Sequence, residues 1–130
     1  MRPRRRLQGV LGRRFRILRR KAITTSPVPI TRMWRGWTAP ENADAYERFL
    51  LDELFPSMRE IPGFRGADVL RRGDGDEVAF VTLTRFDSLD AVLAFAGEHY
   101  EVPVLEPQAI ELLSRHDERA VHYDTASLPD

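Results

Sequence analysis

The chain has 130 residues, of which 42% are hydrophobic and none is cysteine. This length predicts one domain with a single modest core, and the missing cysteines exclude a disulfide, a thiolate metal site and a cysteine nucleophile. No apolar run approaches the roughly 18–20 residues that a membrane-spanning helix needs.

The formal net charge is zero, but the two signs are segregated along the chain. Residues 1–29 contain ten of the 20 basic residues and no acid, so residues 30–130 contain ten basic residues and all 20 acidic ones. An acid-free basic segment is typically disordered, and we expect a loose arm over residues 1–29. Its composition would also suit a basic amphipathic helix on an anionic surface, or an extension that is removed by processing.

The body of the chain begins with a predicted strand and a predicted helix. Ile30–Trp37 is rich in β-branched and aromatic residues, which favours a strand. Thr38-Ala-Pro-Glu41 has the form of a capping box, with proline in the first helical turn. Apolar residues then recur at three- and four-residue steps, which predicts an amphipathic helix over about Pro40–Phe55. Pro56 predicts a kink or a restart there, because proline cannot donate to the helical ladder.

A hairpin and a second helix are predicted next. Phe64–Arg72 and Val78–Phe86 have the pattern of strands, and the Asp-Gly pair at Gly75 supplies the positive φ that tight hairpins require. Ser88, or alternatively Asp87, is a predicted N-cap for a helix that ends at Gly97.

Two short elements complete the predicted order, which is β-α-β-β-α-β. Ala109–Leu113 predicts a single helical turn, and Ala120–Asp124 predicts the last strand. This order is typical of the α+β ferredoxin-like fold, a four-stranded antiparallel sheet with both helices on one face. Since the third strand is apolar on both sides, the other face also needs a cover, and a second copy of the sheet would provide it. The sequence therefore predicts a homodimer.

Five segments of the body together carry a family pattern: ITRMWRGWT, ADAYERFL, IPGFRGADVLRR, GDEVAFVTLTRFDSLDAVLAFAG and ERAVHYDT. They resemble the antibiotic biosynthesis monooxygenase (ABM) family of small dimeric α+β-barrel domains. The resemblance covers residues 30–125 and leaves residues 126–130 as a frayed tail. It implies one of several activities, because the family includes cofactor-independent oxygenases of polycyclic phenols, quinol oxygenases, haem-degrading oxygenases and members with no assigned activity.

Departures from the pattern of the haem-degrading members argue against haem degradation in particular. Haem-degrading relatives use an Asn in the first strand, a Trp at the end of the third strand and a His after the second helix. Here Asn42 falls at the start of the first helix, and Phe86 holds the Trp position. Only His99 loosely matches the haem-ligating histidine, so we expect no cofactor.

Three histidines are candidates for chemistry. His99 follows the second helix beside Tyr100, and its ordinary pKa of about 6.5 would suit a base that deprotonates a phenolic substrate. The alternative is an ordinary loop histidine. His116 and His122 would share a face if one strand ran through both, but no third metal ligand stands at a useful spacing. We therefore expect both to face solvent and predict no metal site.

The aromatic residues predict an apolar pocket between the helices and the sheet. Trp34 and Trp37 should face opposite sides of the first strand, so one of them should point into that pocket. The residues predicted to line it are Trp34, Phe49, Phe80, Phe86 and Tyr100. The alternative is that they simply fill the core. One of the strand arginines could also anchor an acidic ligand; the candidates are Arg32, Arg35, Arg71, Arg72 and Arg85.

These patterns lead to two functional hypotheses. The first is a monooxygenase that uses no cofactor and acts on a phenolic, quinol or polyketide-like aromatic. The alternative is a non-catalytic dimeric module of the same fold that binds a hydrophobic ligand or has a structural role. In both cases we expect a cytoplasmic homodimer that binds no specific nucleic acid.

Overall fold

The computed structural model describes residues 28–129. The predicted basic arm lies outside the described residues except for its last two positions. Within the described range, no helix is long and apolar enough to cross a membrane. The strands are β1 (Ile30–Thr38), β2 (Phe64–Asp74), β3 (Glu77–Phe86), β4 (Leu113–His116) and β5 (Val121–Asp124). The α-helices are α1 (Ala43–Phe49), α2 (Phe55–Met58), α3 (Leu89–Ala96) and α4 (Pro107–Leu112).

The strands form one antiparallel sheet in the order β2-β3-β1-β4, with β5 also paired to β1. This arrangement confirms the predicted ferredoxin-like fold. The last strand position is divided, because β4 pairs with the end of β1 at Gly36–Thr38 and β5 pairs with its start at Ile30–Met33. The sequence predicted β5 but missed β4, whose central residues Ser114 and Arg115 lack the β-branched and aromatic composition that marks strands.

The first helix changes its hydrogen-bond register before Pro56, as the sequence predicted. A 3₁₀ turn over Pro40–Asn42 leads into α1, and a π-helical segment over Leu50–Leu54 joins α1 to α2. The Phe55 amide donates to the Leu50 carbonyl, five residues back. This wider turn accommodates a proline, which has no amide proton and would clash with the carbonyl of a regular α-helical turn.

The predicted capping box at Thr38 is wrong. Thr38 is the last residue of β1, where it pairs with Val78 of β3 and Leu113 of β4, and the helix starts after Ala39 without a side-chain cap. Sheet pairing on both sides holds Thr38 in the strand, so its side chain does not fold back over the helix. The predicted proline in the first turn is confirmed at Pro40.

The hairpin and the second helix follow the sequence closely. Gly75 has φ 62° between Asp74 and Glu77, which pair with each other at the end of the hairpin. The Ser88 side chain accepts a hydrogen bond from the Ala91 amide at 3.3 Å and so caps α3. These two local predictions are confirmed.

The sheet has two different faces because side chains alternate along each strand. The helices pack on one of them and enclose a core whose largest fully buried side chains include Tyr46, Phe80 and Phe86. The opposite face, called the outer face below, has an apolar patch with charged side chains beside it, including Arg35, Asp68 and Arg85. It carries Met33, Leu70, Val81, Leu83, Val121 and Tyr123.

Candidate functional site

A cavity lies between the helix-covered face of the sheet and the first helix. It is lined by Arg32, Trp34, Tyr46, Phe49, Leu50, Leu54, Phe55, Met58, Thr82, Thr84, Phe95, Pro103, Val104, Leu105, Glu106 and Ala109. The recess and the open solvent at its mouth together have a volume of about 530 Å³. The free volume inside the recess is only about 40 Å³. A free volume of this size holds a few water molecules. A larger ligand would therefore extend into the open mouth of the recess or displace lining side chains.

Strand alternation explains how polar groups reach this apolar cavity. Arg32 and Trp34 are two residues apart on β1, and Thr82 and Thr84 are two residues apart on β3. Arg32 pairs directly with Thr84, and Trp34 pairs with Thr82, so all four side chains point toward the helices. The floor of the cavity thus combines one charge, one indole and two hydroxyls, while the first helix contributes aromatic and aliphatic side chains.

Arg32 is the unusual residue of this floor, because it is only 5% exposed. Its Nη1 donates to the Tyr100 carbonyl at 2.5 Å and to His122 Nε2 at 3.1 Å, and its Nη2 donates to the Val102 carbonyl at 3.4 Å. The guanidinium also lies 5.4 Å from the centre of the Phe95 ring. All of these partners are neutral, so they orient the cation without balancing its charge.

Burial lowers the pKa of Arg32 to about 10, and the nearby charge of Glu101 opposes that effect. The guanidinium therefore stays protonated at neutral pH. Within residues 28–129, no carboxylate forms an ion pair with it. Burying a charge without an ion-pair partner costs on the order of several kcal/mol in desolvation free energy.

His122 supports Arg32 from the neighbouring strand, where the two residues pair directly. Arginine can only donate, so the bond to His122 Nε2 requires that nitrogen to accept and the ring to be neutral, with its proton on Nδ1. Burial and the charge of Arg32 lower the pKa of His122 to about 4, against a smaller opposing effect of Glu101. The ring packs edge-on against Tyr100 at 4.9 Å.

Trp34 is fixed from the same side of the sheet. Its Nε1 donates to the Asp117 carbonyl at 2.9 Å, and its ring packs against His116 at 5.4 Å. Both His116 and His122 are half-buried on the cavity side of the sheet, so the expectation that they face solvent is wrong. No group of three metal-ligating side chains occurs among the residues that the structure describes.

The predicted site residues take different places. Trp34 and Phe49 line the cavity, whereas Phe80 and Phe86 are buried in the core outside the cavity lining. Tyr100 is half-buried, and it contacts the site through its carbonyl and through its ring against His122. His99 is exposed in the segment after α3, and it is not part of the cavity lining.

The sequence did not single out Arg32 and His122, the hydrogen-bonded pair whose pKa values are both strongly lowered. Arg32 was one of five candidate arginines, and the other four are all exposed or half-exposed on the sheet. A usable signal existed, because Arg32 lies two residues before Trp34 and must share its face. His122 had no comparable signal, since its pairing with Arg32 joins residues 90 positions apart.

The fold is a small α+β domain with an apolar cavity against one face of its sheet. A family comparison places this domain more narrowly: the model of the antibiotic biosynthesis monooxygenase (ABM) family matches residues 29–100. The chain belongs to this family. The predicted resemblance is thereby confirmed.

Solved structures with the same fold include three informative relatives. A conserved protein from Methanosarcina mazei has a TM-score of 0.56 at 14% identity, covering 78% of this chain and 96% of that one. A proposed antibiotic biosynthesis monooxygenase from Chloroflexus aurantiacus has a TM-score of 0.53 at 14% identity, covering 78% and 97%. A variant of SnoaB, a cofactor-independent oxygenase from Streptomyces nogalater, has a TM-score of 0.50 at 19% identity, covering 78% and 98%. A comparison with curated proteins found no match.

Proposed function

We propose that this protein is a cofactor-independent monooxygenase that acts on an electron-rich phenolic, quinol or polyketide-like aromatic. The observation that carries the proposal is the aromatic-lined cavity of an ABM domain, with Trp34 and Thr82 on its floor and Phe49 on its helical wall. Flat apolar ligands favour cavities of this kind, in which a few polar groups fix the orientation. SnoaB, whose structure shares the fold, is described as a cofactor-independent oxygenase.

The proposed reaction draws its electrons from the substrate, as an anthrone illustrates. Loss of a proton from the ring CH₂ gives a carbanion-like anion, which passes one electron to O₂, and the resulting radicals combine to a peroxide. The peroxide takes up a proton and loses water, which leaves a carbonyl at that carbon. The carbon loses four electrons and O₂ gains four, so one oxygen atom enters the product, the other enters water and no other reductant is needed.

The protein would contribute a dry cavity and a proton acceptor for this chemistry. Desolvation of the substrate anion raises its reactivity toward O₂. His99 is the candidate base, and it lies one residue before the Tyr100 carbonyl that Arg32 binds. Because His99 is exposed, it would reach a bound substrate only when the segment around it rearranges.

Oxygen consumption tests the proposal directly. Purified protein is given anthrones and naphthoquinols under isotopically labelled O₂, and the product is analysed by mass spectrometry. We expect protein-dependent uptake and one labelled oxygen atom per product molecule. His99→Ala should slow turnover if His99 is the base, whereas Gln108→Ala, an exposed change on α4, should not. The absence of uptake with every substrate would contradict the oxygenase.

One observation favours a second candidate function, a non-catalytic ligand-binding module. The free volume is only about 40 Å³, and the cavity lining contains no histidine. Such a module would show ligand-dependent thermal stabilisation without oxygen uptake. The two functions are therefore separated by the same set of ligands, measured once for turnover and once for the shift in Tm.

We also propose that the functional unit is a homodimer that buries the outer face of the sheet. On this face Leu70 is 50% exposed, Val121 is 43% exposed and Tyr123 is 52% exposed. Leu70 pairs directly with Val81, Val121 pairs with Met33, and Met33 pairs in turn with Leu83, so these apolar side chains lie on adjacent strands of the same face; Tyr123 pairs with Thr31 beside them. A contiguous apolar patch of this kind typically marks an interface, and a two-fold copy of the same face is its simplest cover.

A further inference from the structure

We propose that the cavity selects ligands that carry an ionised acid group, a carboxylate or a phenolate, and that Arg32 is the residue that binds it. This inference rests on the proposed ligand cavity, but it is independent of whether the ligand then reacts with oxygen. It names the chemical class of the ligand and the end of the cavity where its charge lies.

The first support is the unbalanced charge of Arg32. The side chain is 5% exposed, and its three protein partners are two backbone carbonyls and the neutral ring of His122. Burial without a counter-ion is unusual for arginine, which is almost never fully buried unless it is paired. An anion in the cavity would supply the missing charge.

The nearby charge of Glu101 offsets only part of the effect of burial, and Glu101 forms no ion pair with the guanidinium. Across the described residues, the ion pairs that arginines form with carboxylates do not include Arg32. Residues 1–27 contain neither Asp nor Glu, so they offer no side-chain counter-ion either. Arg32 thus has no contact counter-ion among the described residues, and the side chains of residues 1–27 include none.

The second support is the number of donors that Arg32 has left. A guanidinium has five N–H groups, and the three hydrogen bonds to Tyr100, Val102 and His122 use three of them. The N–H of Nε and one N–H of Nη2 have no partner among the residues described. Arg32 lines the cavity, and in the proposed complex these two groups donate to the oxygens of the ligand. Charge-assisted bonds from a guanidinium are among the strongest that a protein forms.

Glu106 affects where an anionic ligand can bind, because it lines the same cavity and is only 6% exposed. Glu106 has interactions of its own within the protein. A ligand anion would be repelled by Glu106 and attracted by Arg32, so its acid group should lie at the Arg32 end. The apolar body of the ligand would then occupy the space beside Phe49 and Trp34.

The experiment compares naphthoate with its neutral amide, naphthamide, by isothermal titration calorimetry on the full chain at neutral pH. The two probes have the same rings and differ mainly in charge. We expect naphthoate to bind at least about tenfold more tightly, which is the lower range for a hydrogen bond to a charged group. This comparison uses the wild-type protein and does not depend on any variant folding.

Two variants then assign the preference to Arg32. Arg32→Met should reduce the naphthoate preference to near unity, while Arg32→Lys should keep part of it because the charge remains. Arg48→Met is the matched control: Arg48 is an exposed arginine on α1 beside Phe49, and its loss should leave the full preference. Glu106→Gln should retain or strengthen naphthoate binding. Circular dichroism and Tm establish that each variant is folded.

Several results would overturn the proposal. These are equal affinity for both probes, no binding of either at millimolar concentration, or a preference that survives in folded Arg32→Met. Any of these results would mean that Arg32 has only a structural role, in which it links the sheet to the segment at Tyr100. Failure of the oxygenase proposal looks different, since naphthoate preference without oxygen uptake would sustain the anion site and refute only the turnover.

Discussion

Acid should destabilise this protein through His122 in particular. The pKa of His122 is lowered to about 4 by burial and by the charge of Arg32, whereas an unfolded histidine titrates near 6.5. A histidine with a lowered folded-state pKa contributes its full stability above about pH 6.5 and loses it as the pH falls toward 4. In that window the unfolded chain binds a proton that the folded protein rejects.

The size of the effect follows from the same pair. The separation between the two pKa values corresponds to at most about 3 kcal/mol, and we expect about 1–2 kcal/mol because the His122 side chain is only half-buried. Protonation also removes the acceptor at Nε2, so the 3.1 Å hydrogen bond from Arg32 is lost and two cations face each other. The segment that holds Tyr100 should loosen with it.

Urea unfolding at about pH 7.5 and about pH 4.5 measures the difference. The comparison variant is His122→Gln, because glutamine keeps an acceptor for Arg32 but does not titrate in this range. Between the two pH values, wild type should lose about 1–2 kcal/mol more free energy of unfolding than His122→Gln. His99→Gln, an exposed substitution, should retain the wild-type loss. Equal losses in wild type and His122→Gln would refute the reasoning.

Two further predictions concern the backbone and the outer face. Gly63→Ala should lower the free energy of unfolding by about 2–5 kcal/mol in chemical denaturation, because Gly63 has φ 92° and an added Cβ would lie 2.8 Å from the Cβ of Ala91. Gly73→Ala, where a Cβ meets nothing within 4 Å, should change it by less than about 1 kcal/mol, and a similar loss at both sites would contradict the steric argument. Val81→Glu should convert the proposed dimer to a monomer in analytical ultracentrifugation, while Leu128→Glu, at a side chain 93% exposed, should not. A wild-type protein that sediments as a monomer would contradict the proposed dimer.

Local chemistry made much of the fold predictable. The positive φ of Gly75 fixes the hairpin, and the Ser88 hydroxyl fixes the start of α3, since each depends on neighbours within three residues. Pro56 likewise announced the change of helical register, because its missing amide proton is a property of the residue itself. Predictions of this kind hold wherever no distant contact competes with the local preference.

A competing distant contact explains where the sequence misled. Thr38 has the local signature of a helix cap, but pairing with Val78 and Leu113 keeps it in β1. His116 and His122 have no local reason for burial, and the packing of His116 on Trp34 arises only in the folded sheet. Such outcomes depend on the relative energies of local and tertiary contacts, which the sequence pattern does not express.

The sequence by itself determined the order of elements, the alternation of faces and membership of the ABM family, because these follow from short-range periodicity and recognisable segments. Only the tertiary structure decided which of the five candidate arginines is buried beside the cavity. Arg32 meets the Tyr100 carbonyl and His122 across separations of 68 and 90 residues. A charged side chain in a strand ordinarily faces water. Arg32 is buried only because distant segments pack around it in the folded protein.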